Sequence, residues 1–318
     1  IKSKNLTIKT SNNQEVCFPL GSKSDVEEMQ FLSGGGGTNV AATFALQGLK
    51  VAYVGAVGHD LAGQEIIGEL KKLGVDVRFV TKKSEKMTNH SIIMLHGGAD
   101  RTILAYRGAA ELLEQKDIPF RKLKAKWMYL APLTGVLCDN FAELVSHAKE
   151  NNMKVAVNPS MAQLSFPDFA EIAKKINVLI LNRQEASFLT KIPLENEKEI
   201  FKAIDAMCPG VAVMTKGGDG VTVSDGKQIY SARPNENRNI VDTTGAGDSF
   251  GAGFMTEIIR AGDIATADGG APQDAVEKAI QLGMANSQGC LSQIGAKNGL
   301  LKKGQEFERV QVLSKEIA

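Results

Sequence analysis

Asp242-Thr243-Thr244-Gly245-Ala246-Gly247-Asp248-Ser249-Phe250 is the stretch on which the reading of this chain turns. Ile240 and Val241 run into it as the end of a strand would. Phe250, Phe254 and Ile258 leave it at the spacing of one helical face. Between strand and helix stand Gly245, Ala246 and Gly247, none with a side chain beyond a methyl. Such a turn at a helix start aims successive main-chain N–H groups at one spot, and the helix dipole adds positive potential there. The spot suits an anion. Asp248 follows at once, and a carboxylate beside an anion is repulsive unless it works on a neighbouring group. A general base for an attacking hydroxyl does such work, so the run reads as a place where a phosphoryl group is transferred. The bland alternative is a capped helix packed on a sheet, with Asp248 as a first-turn acid. Gly251 and Gly253 weigh against a plain helix. Each costs about 1 kcal/mol there relative to Ala, so another element or a ligand must come close to the backbone.

Composition narrows the classes. A chain of 318 residues suits one large α/β domain or two smaller ones and can bury a substantial core. Lys and Arg number 37 against 36 Asp and Glu. That balance gives no bulk electrostatic case for nucleic acid or an anionic membrane. No apolar run approaches the ~18 residues of a membrane span, and no signal peptide is visible. Cys17, Cys138, Cys208 and Cys290 are scattered, with no Cys-x-x-Cys and no Cys/His cluster. They read as reduced thiols, and a cytoplasmic home is expected. The chain opens at Ile1, inside what reads as a strand, so a preceding segment is expected.

Upstream, Leu6 and Ile8, then Val16 and Phe18, alternate with polar residues around Ser11-Asn12-Asn13, as a hairpin does. Gly34 to Gly37 stand directly before a helix that Thr38 or Asn39 starts and Gly48 ends. Four glycines in a row lose much chain entropy on folding, which favours close approach of the backbone to a ligand over a plain loop; Asn39 alone reads as a helix cap. A strand over 51–56, a helix over 62–73 and a strand over 75–80 follow. That rhythm argues for a parallel sheet covered by helices. Residues 89–95 and 102–106 break it with a second hairpin. The rhythm returns from Trp127 to Met214, followed by a hairpin around Asp225-Gly226 and a helix over 273–289. The tail from Gln305 is weakly patterned and reads as a terminal helix.

The decisive run resembles the second signature of the ribokinase-like sugar kinases, the PfkB family. Gly34-Gly35-Gly36-Gly37-Thr38-Asn39-Val40-Ala41, with Gly48 and Gly58 downstream, is similar to the family's first signature. Two long patterns in the right order carry the resemblance, and weaker matches spread it over nearly the whole chain. It implies a three-layer α/β/α fold with a mostly parallel central sheet and a small β lid. Residues 1–32 and 87–107 would form the lid, the first hairpin pairing with the second, and 33–86 with 108–318 one discontinuous α/β core. It implies ATP-dependent phosphorylation of a primary hydroxyl on a sugar or sugar-like acceptor, with Asp248 as base and the amides of Gly245, Ala246 and Gly247 holding the phosphoryl group. By the same match Gly34, Gly35 and Asn39 contact the acceptor, and Arg101, Tyr106 and Arg107 reach it from the lid.

Asn182-Arg183-Gln184-Glu185 resembles the family's Asn-x-x-Glu, which places Mg²⁺ through water; a simple capping box is the alternative. Thr215, Lys216, Gly217 and Gly220 resemble its nucleotide loop, and Asn286 and Gly289 lie where its last helix borders adenine. Asp242 and Thr244 match residues that hold a monovalent cation such as K⁺ in relatives, or they cap the turn. Gly55 to Asp60 match a motif we read as structural. A homodimer through the lid is expected, as is a soluble chain with neither nucleic-acid nor membrane partner. Relatives open with a strand ending in Gly-Asp and an Asp that grips two sugar hydroxyls. Neither appears before Leu6, so the central sheet is expected to lack a strand and the acceptor site an anchor. Asn158-Pro159-Ser160 lacks the Arg of sugar-acid kinases, which disfavours an acidic sugar.

Two rivals are weighed. For a dinucleotide-binding oxidoreductase, Phe250 stands where that fingerprint needs Gly or Ala, and no P-loop sequence is present. A non-catalytic sugar or nucleotide sensor on the same fold, or a nucleoside kinase, remains as an alternative.

Overall fold

Val178 and Ile180 bury in one apolar cluster, Leu179 and Leu181 in another. One strand thus feeds two cores, the pattern of a sheet covered on both faces. The structure, a computed structural model, describes residues 7–10, 14–17, 20, 21, 23, 25–95, 101–236, 239–262 and 273–317. Its strands are β1 (Thr7–Thr10), β2 (Gln14–Cys17), β3 (Ala52–Gly58), β4 (Asp76–Lys83), β5 (His90–Leu95), β6 (Arg101–Tyr106), β7 (Trp127–Leu130), β8 (Lys154–Val157), β9 (Val178–Asn182), β10 (Val211–Thr215), β11 (Val221–Ser224), β12 (Gln228–Ala232) and β13 (Val312–Glu316). Its α-helices are α1 (Gly36–Leu46), α2 (Leu61–Lys72), α3 (Val136–Asp139), α4 (Phe141–Glu150), α5 (Met161–Leu164), α6 (Phe169–Ala173), α7 (Arg183–Thr190), α8 (Glu197–Met207), α9 (Ala246–Ala261) and α10 (Gln273–Leu291).

The main sheet has seven strands in the order β13-β12-β11-β10-β9-β8-β7. Strands β7 to β10 run parallel, and β11 to β13 continue the sheet antiparallel. Phe141, Leu144, Phe169, Ile200 and Ile204 bring α4, α6 and α8 onto one face. Val40, Phe44, Phe254, Ile258 and Ile280 bring α1, α9 and α10 onto the other. The result is a ribokinase-like three-layer α/β/α architecture. In the parallel part all carboxyl ends lie on one side, where sheets of this kind bind ligands. Register sets Asn182 at the end of β9 opposite Thr215 at the end of β10.

Strands β3 and β4 form a parallel pair of their own, with α2 packed beside them through Leu70 and Val75. Among the described residues no ladder joins β3 to β7. Gly55 to Asp60 do structural work: a Cβ on Gly58 would stand 2.5 Å from the Thr88 nitrogen, and Asp60 caps α2 at Gly63 while accepting from Thr88.

Two expectations are corrected. Among the described residues the hairpins β1–β2 and β5–β6 are separate two-stranded sheets, with no ladder from one to the other. The tail ends in a strand, not a helix: β13 covers the free edge of β12, with Val312 opposite Ala232 and Glu316 opposite Gln228. Its mostly exposed side chains give no apolar period to read.

Candidate active site

Two helix starts meet at one carboxylate. Helix α1 begins after Gly35, at φ 99°, where a side chain would strain the backbone. Thr38 Oγ1 donates to the carbonyls of Gly34 and Gly35 and pins the run. Asn39 is not the helix cap that its type suggests. It lies in the first turn, buried, and its Nδ2 donates to Asp248 Oδ2 at 2.8 Å. Asp248 stands in the first turn of α9. A Cβ on Gly36 would lie 3.2 Å from Asp248 Oδ1 and 3.3 Å from Pro132, a tight fit that would crowd that oxygen. Burial pushes the Asp248 pKa up, and the Asn39 hydrogen bond opposes this. Asn39 Oδ1 and Tyr129 Oη are buried with no hydrogen-bond partner. Burial and the Asp248 charge both push the Tyr129 hydroxyl well above its ordinary range.

The turn before Asp248 is held from behind. Gly245 is the N-cap of α9 at φ 78°, with no side chain capping the helix. The first amides of such a helix have no partner within it. A Cβ on Gly245 would stand 2.5 Å from Ala296, whereas beyond Gly247 a Cβ meets nothing within 4 Å. The turn is therefore closed on its inner side and open on its outer side, a cradle of N–H groups. Asp242 Oδ1 accepts from the Thr244 amide and Oδ2 from the Gly295 amide, which is the turn-capping alternative for this residue. Thr244 Oγ1 is buried without a partner.

At the end of β9, Asn182 and Glu185 form a reciprocal capping box at the start of α7, each side chain accepting from the other's amide at 2.8 Å. One Glu185 oxygen lies outside that box. Burial pushes the Glu185 pKa up against the hydrogen bonds from Asn182, so the carboxylate gains from a cation nearby. At the end of β10, Thr215 Oγ1 donates weakly to the Leu181 carbonyl at 3.4 Å. Past Gly217, at φ 56°, and Gly218 the space is open. Gly220, at φ 92°, lies against the Ala232 carbonyl, where a Cβ would stand 2.0 Å away.

Residues 3–303 match the sequence pattern of the pfkB family of carbohydrate kinases. The chain belongs to that family. This makes it an ATP-dependent carbohydrate kinase. The ribokinase of Haemophilus influenzae is 26% identical over 297 residues, covering 89% of this chain and 88% of that protein. The adenosine kinase of Saccharomyces cerevisiae is 27% identical over 257 residues, 75% of each chain. The structure of ribokinase from Giardia lamblia shares the fold, with a TM-score of 0.76 at 20% identity over 90% of this chain and 92% of that one.

Other expected site residues of the kinase are buried, engaged elsewhere or on the outer surface. Asn286 is fully buried. Its Nδ2 donates to the Ser249 carbonyl at 2.7 Å and to Thr43 Oγ1 at 3.2 Å, and its Oδ1 accepts from the Leu301 amide at 2.9 Å. It braces α1, α9 and α10, with both ends of its side-chain amide engaged by protein. Gly289 is a packing glycine, since a Cβ there would lie 2.2 Å from the Gly299 carbonyl. The Lys216 ammonium is turned onto Glu197 at 3.2 Å, and Thr222 donates to the same carboxylate, so only its main chain faces the loop of Gly217. Tyr106 and Arg107 are exposed at the end of β6, and no hydrogen bond joins them to Asn39 or Asp248. Arg101 begins β6, and its side chain lies outside the described residues. No group of three or more His, Cys, Asp or Glu among the described residues is spaced as a metal cage. Cys138, Cys208 and Cys290 are buried and unpaired with sulfur, and no described helix is long and apolar enough to cross a membrane. Gly36 and Tyr129 were missed as neighbours of the carboxylate: one is hidden in a glycine run, the other sits on a distant strand.

Proposed function

We propose that the kinase transfers the ATP γ-phosphoryl group to a primary hydroxyl of a sugar or nucleoside, with Asp248 as general base. The single observation that carries this is the Asn39–Asp248 hydrogen bond, which joins the two glycine runs at one carboxylate beside a helix start that no side chain caps. Asp248 Oδ2 is engaged by Asn39, and Oδ1 faces Gly36, which has no side chain of its own to cover it. That oxygen accepts the hydroxyl proton. The raised pKa makes Asp248 a stronger base for the hydroxyl proton. The Gly245, Ala246 and Gly247 amides bind the phosphoryl oxygens, whose charge develops in a loose transition state where positioning and electrostatics dominate.

Gly34, Gly35 and Asn39 orient the acceptor, and the buried, unpartnered Asn39 Oδ1 is satisfied by an acceptor hydroxyl. The main chain at Thr215, Lys216 and Gly217 flanks the nucleotide. Glu185, with Asn182 setting its orientation, holds the waters of Mg²⁺, which supplies charge neutralisation at the phosphates. Asp242 and Thr244 stiffen the loop behind the cradle, and the orphaned Thr244 hydroxyl fits a monovalent cation such as K⁺. The lid residues Arg101, Tyr106 and Arg107 close over the acceptor, and the lid hairpins serve a homodimer.

ADP release is measured across D-ribose, D-fructose, adenosine and cytidine. Turnover of at least one is expected, and Asp248→Asn is expected to bind the same ligands while turning over at least ~10²-fold slower. Binding without turnover by the wild type on all four would make the chain a sensor instead.

A further inference from the structure

Lys297 is a buried ammonium that the site described above leaves without a role. Only 7% of its side chain is exposed. Its Nζ lies 2.9 Å from Glu69 Oε2 and 2.7 Å from Ser33 Oγ. Ser33 Oγ donates to the same Glu69 oxygen. The three groups come from three parts of the chain. Glu69 is on α2, packed beside β3 and β4. Ser33 immediately precedes the Gly34–Gly37 run. Lys297 follows Gly295, whose amide holds Asp242, and Ala296, which lies against Gly245. One ammonium therefore ties the start of the acceptor loop to the segment that backs the phosphate cradle. Lysine offers three donors and no acceptor, and an ammonium this enclosed persists only where oxygens receive it. A brace needed for stability alone would not have to engage the residue next to the glycine run.

We propose that Lys297 is a positioning residue that couples the acceptor side of the site to the nucleotide side, through Ser33 in one direction and Gly295–Ala296 in the other. The proposal rests on the kinase reading above. Ligand at the cradle presses on Gly245 and thus on Ala296, and the tie fixes where Gly34 and Gly35 meet the acceptor.

The test is calorimetric. The acceptor's Kd is measured with and without ADP and Mg²⁺, using whichever of D-ribose, D-fructose, adenosine or cytidine the wild type turns over. Coupled sites change each other's affinity by a factor of about 5–150, and the wild type is expected in that range. Ser33→Ala keeps the Lys297–Glu69 pair and so keeps the fold, and its factor is expected to fall toward one with an unchanged melting temperature. Lys297→Met is expected to abolish the factor and to melt lower. A wild type that turns over an acceptor but shows no coupling factor overturns this proposal alone. So does a folded Ser33→Ala that keeps the whole factor. A wild type that turns over none of the four fails the kinase reading and the proposal with it. Asp248→Asn separates the two ideas further: it loses turnover and keeps the factor.

Discussion

Asp248 is favoured as an anion by one hydrogen bond and disfavoured by its surroundings. Burial pushes its pKa up and Asn39 Nδ2 pulls it down. Asn39→Ala leaves the upward push alone, so the acid limb of the kcat/KM profile is expected to move to higher pH. An unmoved limb would detach Asn39 from the ionisation of Asp248. The stability consequence has a definite sign. A carboxyl whose pKa is raised by folding binds its proton more readily in the folded chain, so stability falls as pH rises through the interval between unfolded and folded values. Asp248→Asn removes that penalty and is expected to melt above the wild type at pH 7 while losing turnover. Asp205 repeats the logic away from the site. Burial pushes its pKa up to about 6, with Ser224 opposing and Asp225 adding. Asp205→Asn should therefore raise the melting temperature at neutral pH. The gain should fade as pH falls toward about 4, the ordinary carboxyl value, and thermal scans across pH read both. Asp248 was legible in the sequence because an acid after Gly-Ala-Gly has few purposes. Its partner's orientation was not, since Asn39 at a helix start has an ordinary capping use and only the fold brings it to Asp248.

Helices α9 and α10 approach closely enough that side chains are excluded between them. A Cβ on Gly253 would lie 2.8 Å from the Leu282 carbonyl, and one on Gly283 would lie 2.9 Å from the Phe250 ring. The two glycines of α9 that follow the turn, Gly251 and Gly253, thus serve packing, whereas Gly247 faces open space. Gly253→Ala is expected to destabilise by about 1–3 kcal/mol, as overpacked cores do. At ~1.5 °C per kcal/mol for a chain of 318 residues, the shift is measurable by calorimetry, with KM for ATP little changed. An unaltered melting temperature would mean the helices separate at no cost. Elements with strong periods, such as α2 and α10, were readable to within a few residues. The edge strand β13 was not, because four of its five residues are exposed and its identity comes from the β12 edge that it covers. The capping box at Asn182 was readable as a local motif, while its place beside Thr215 depends on strand register.

At the scale of the molecule, the site is a meeting of segments that fold against both faces of one sheet. Bound ligands should therefore stabilise the whole: at 100 times Kd a ligand that binds only the folded state adds ~2.7 kcal/mol. ADP with Mg²⁺, and separately the true acceptor, are each expected to raise the melting temperature in thermal-shift screening. An acceptor that is turned over yet shifts nothing would contradict binding to the folded core. The fold class was legible because two signatures and a strand–helix rhythm agree, whereas the separate ladders of the two hairpins among the described residues are a long-range matter that no local pattern records. The brace at Asn286 has one more consequence. It holds Thr43, Ser249 and Leu301 together, and Asn39 lies 209 positions before the acid it orients. A ribosome makes the first of these long before the last. A nascent or truncated chain that stops short of Leu301 therefore lacks one of the three partners that hold Asn286 between α1 and α9, and that junction closes only once Leu301 is made.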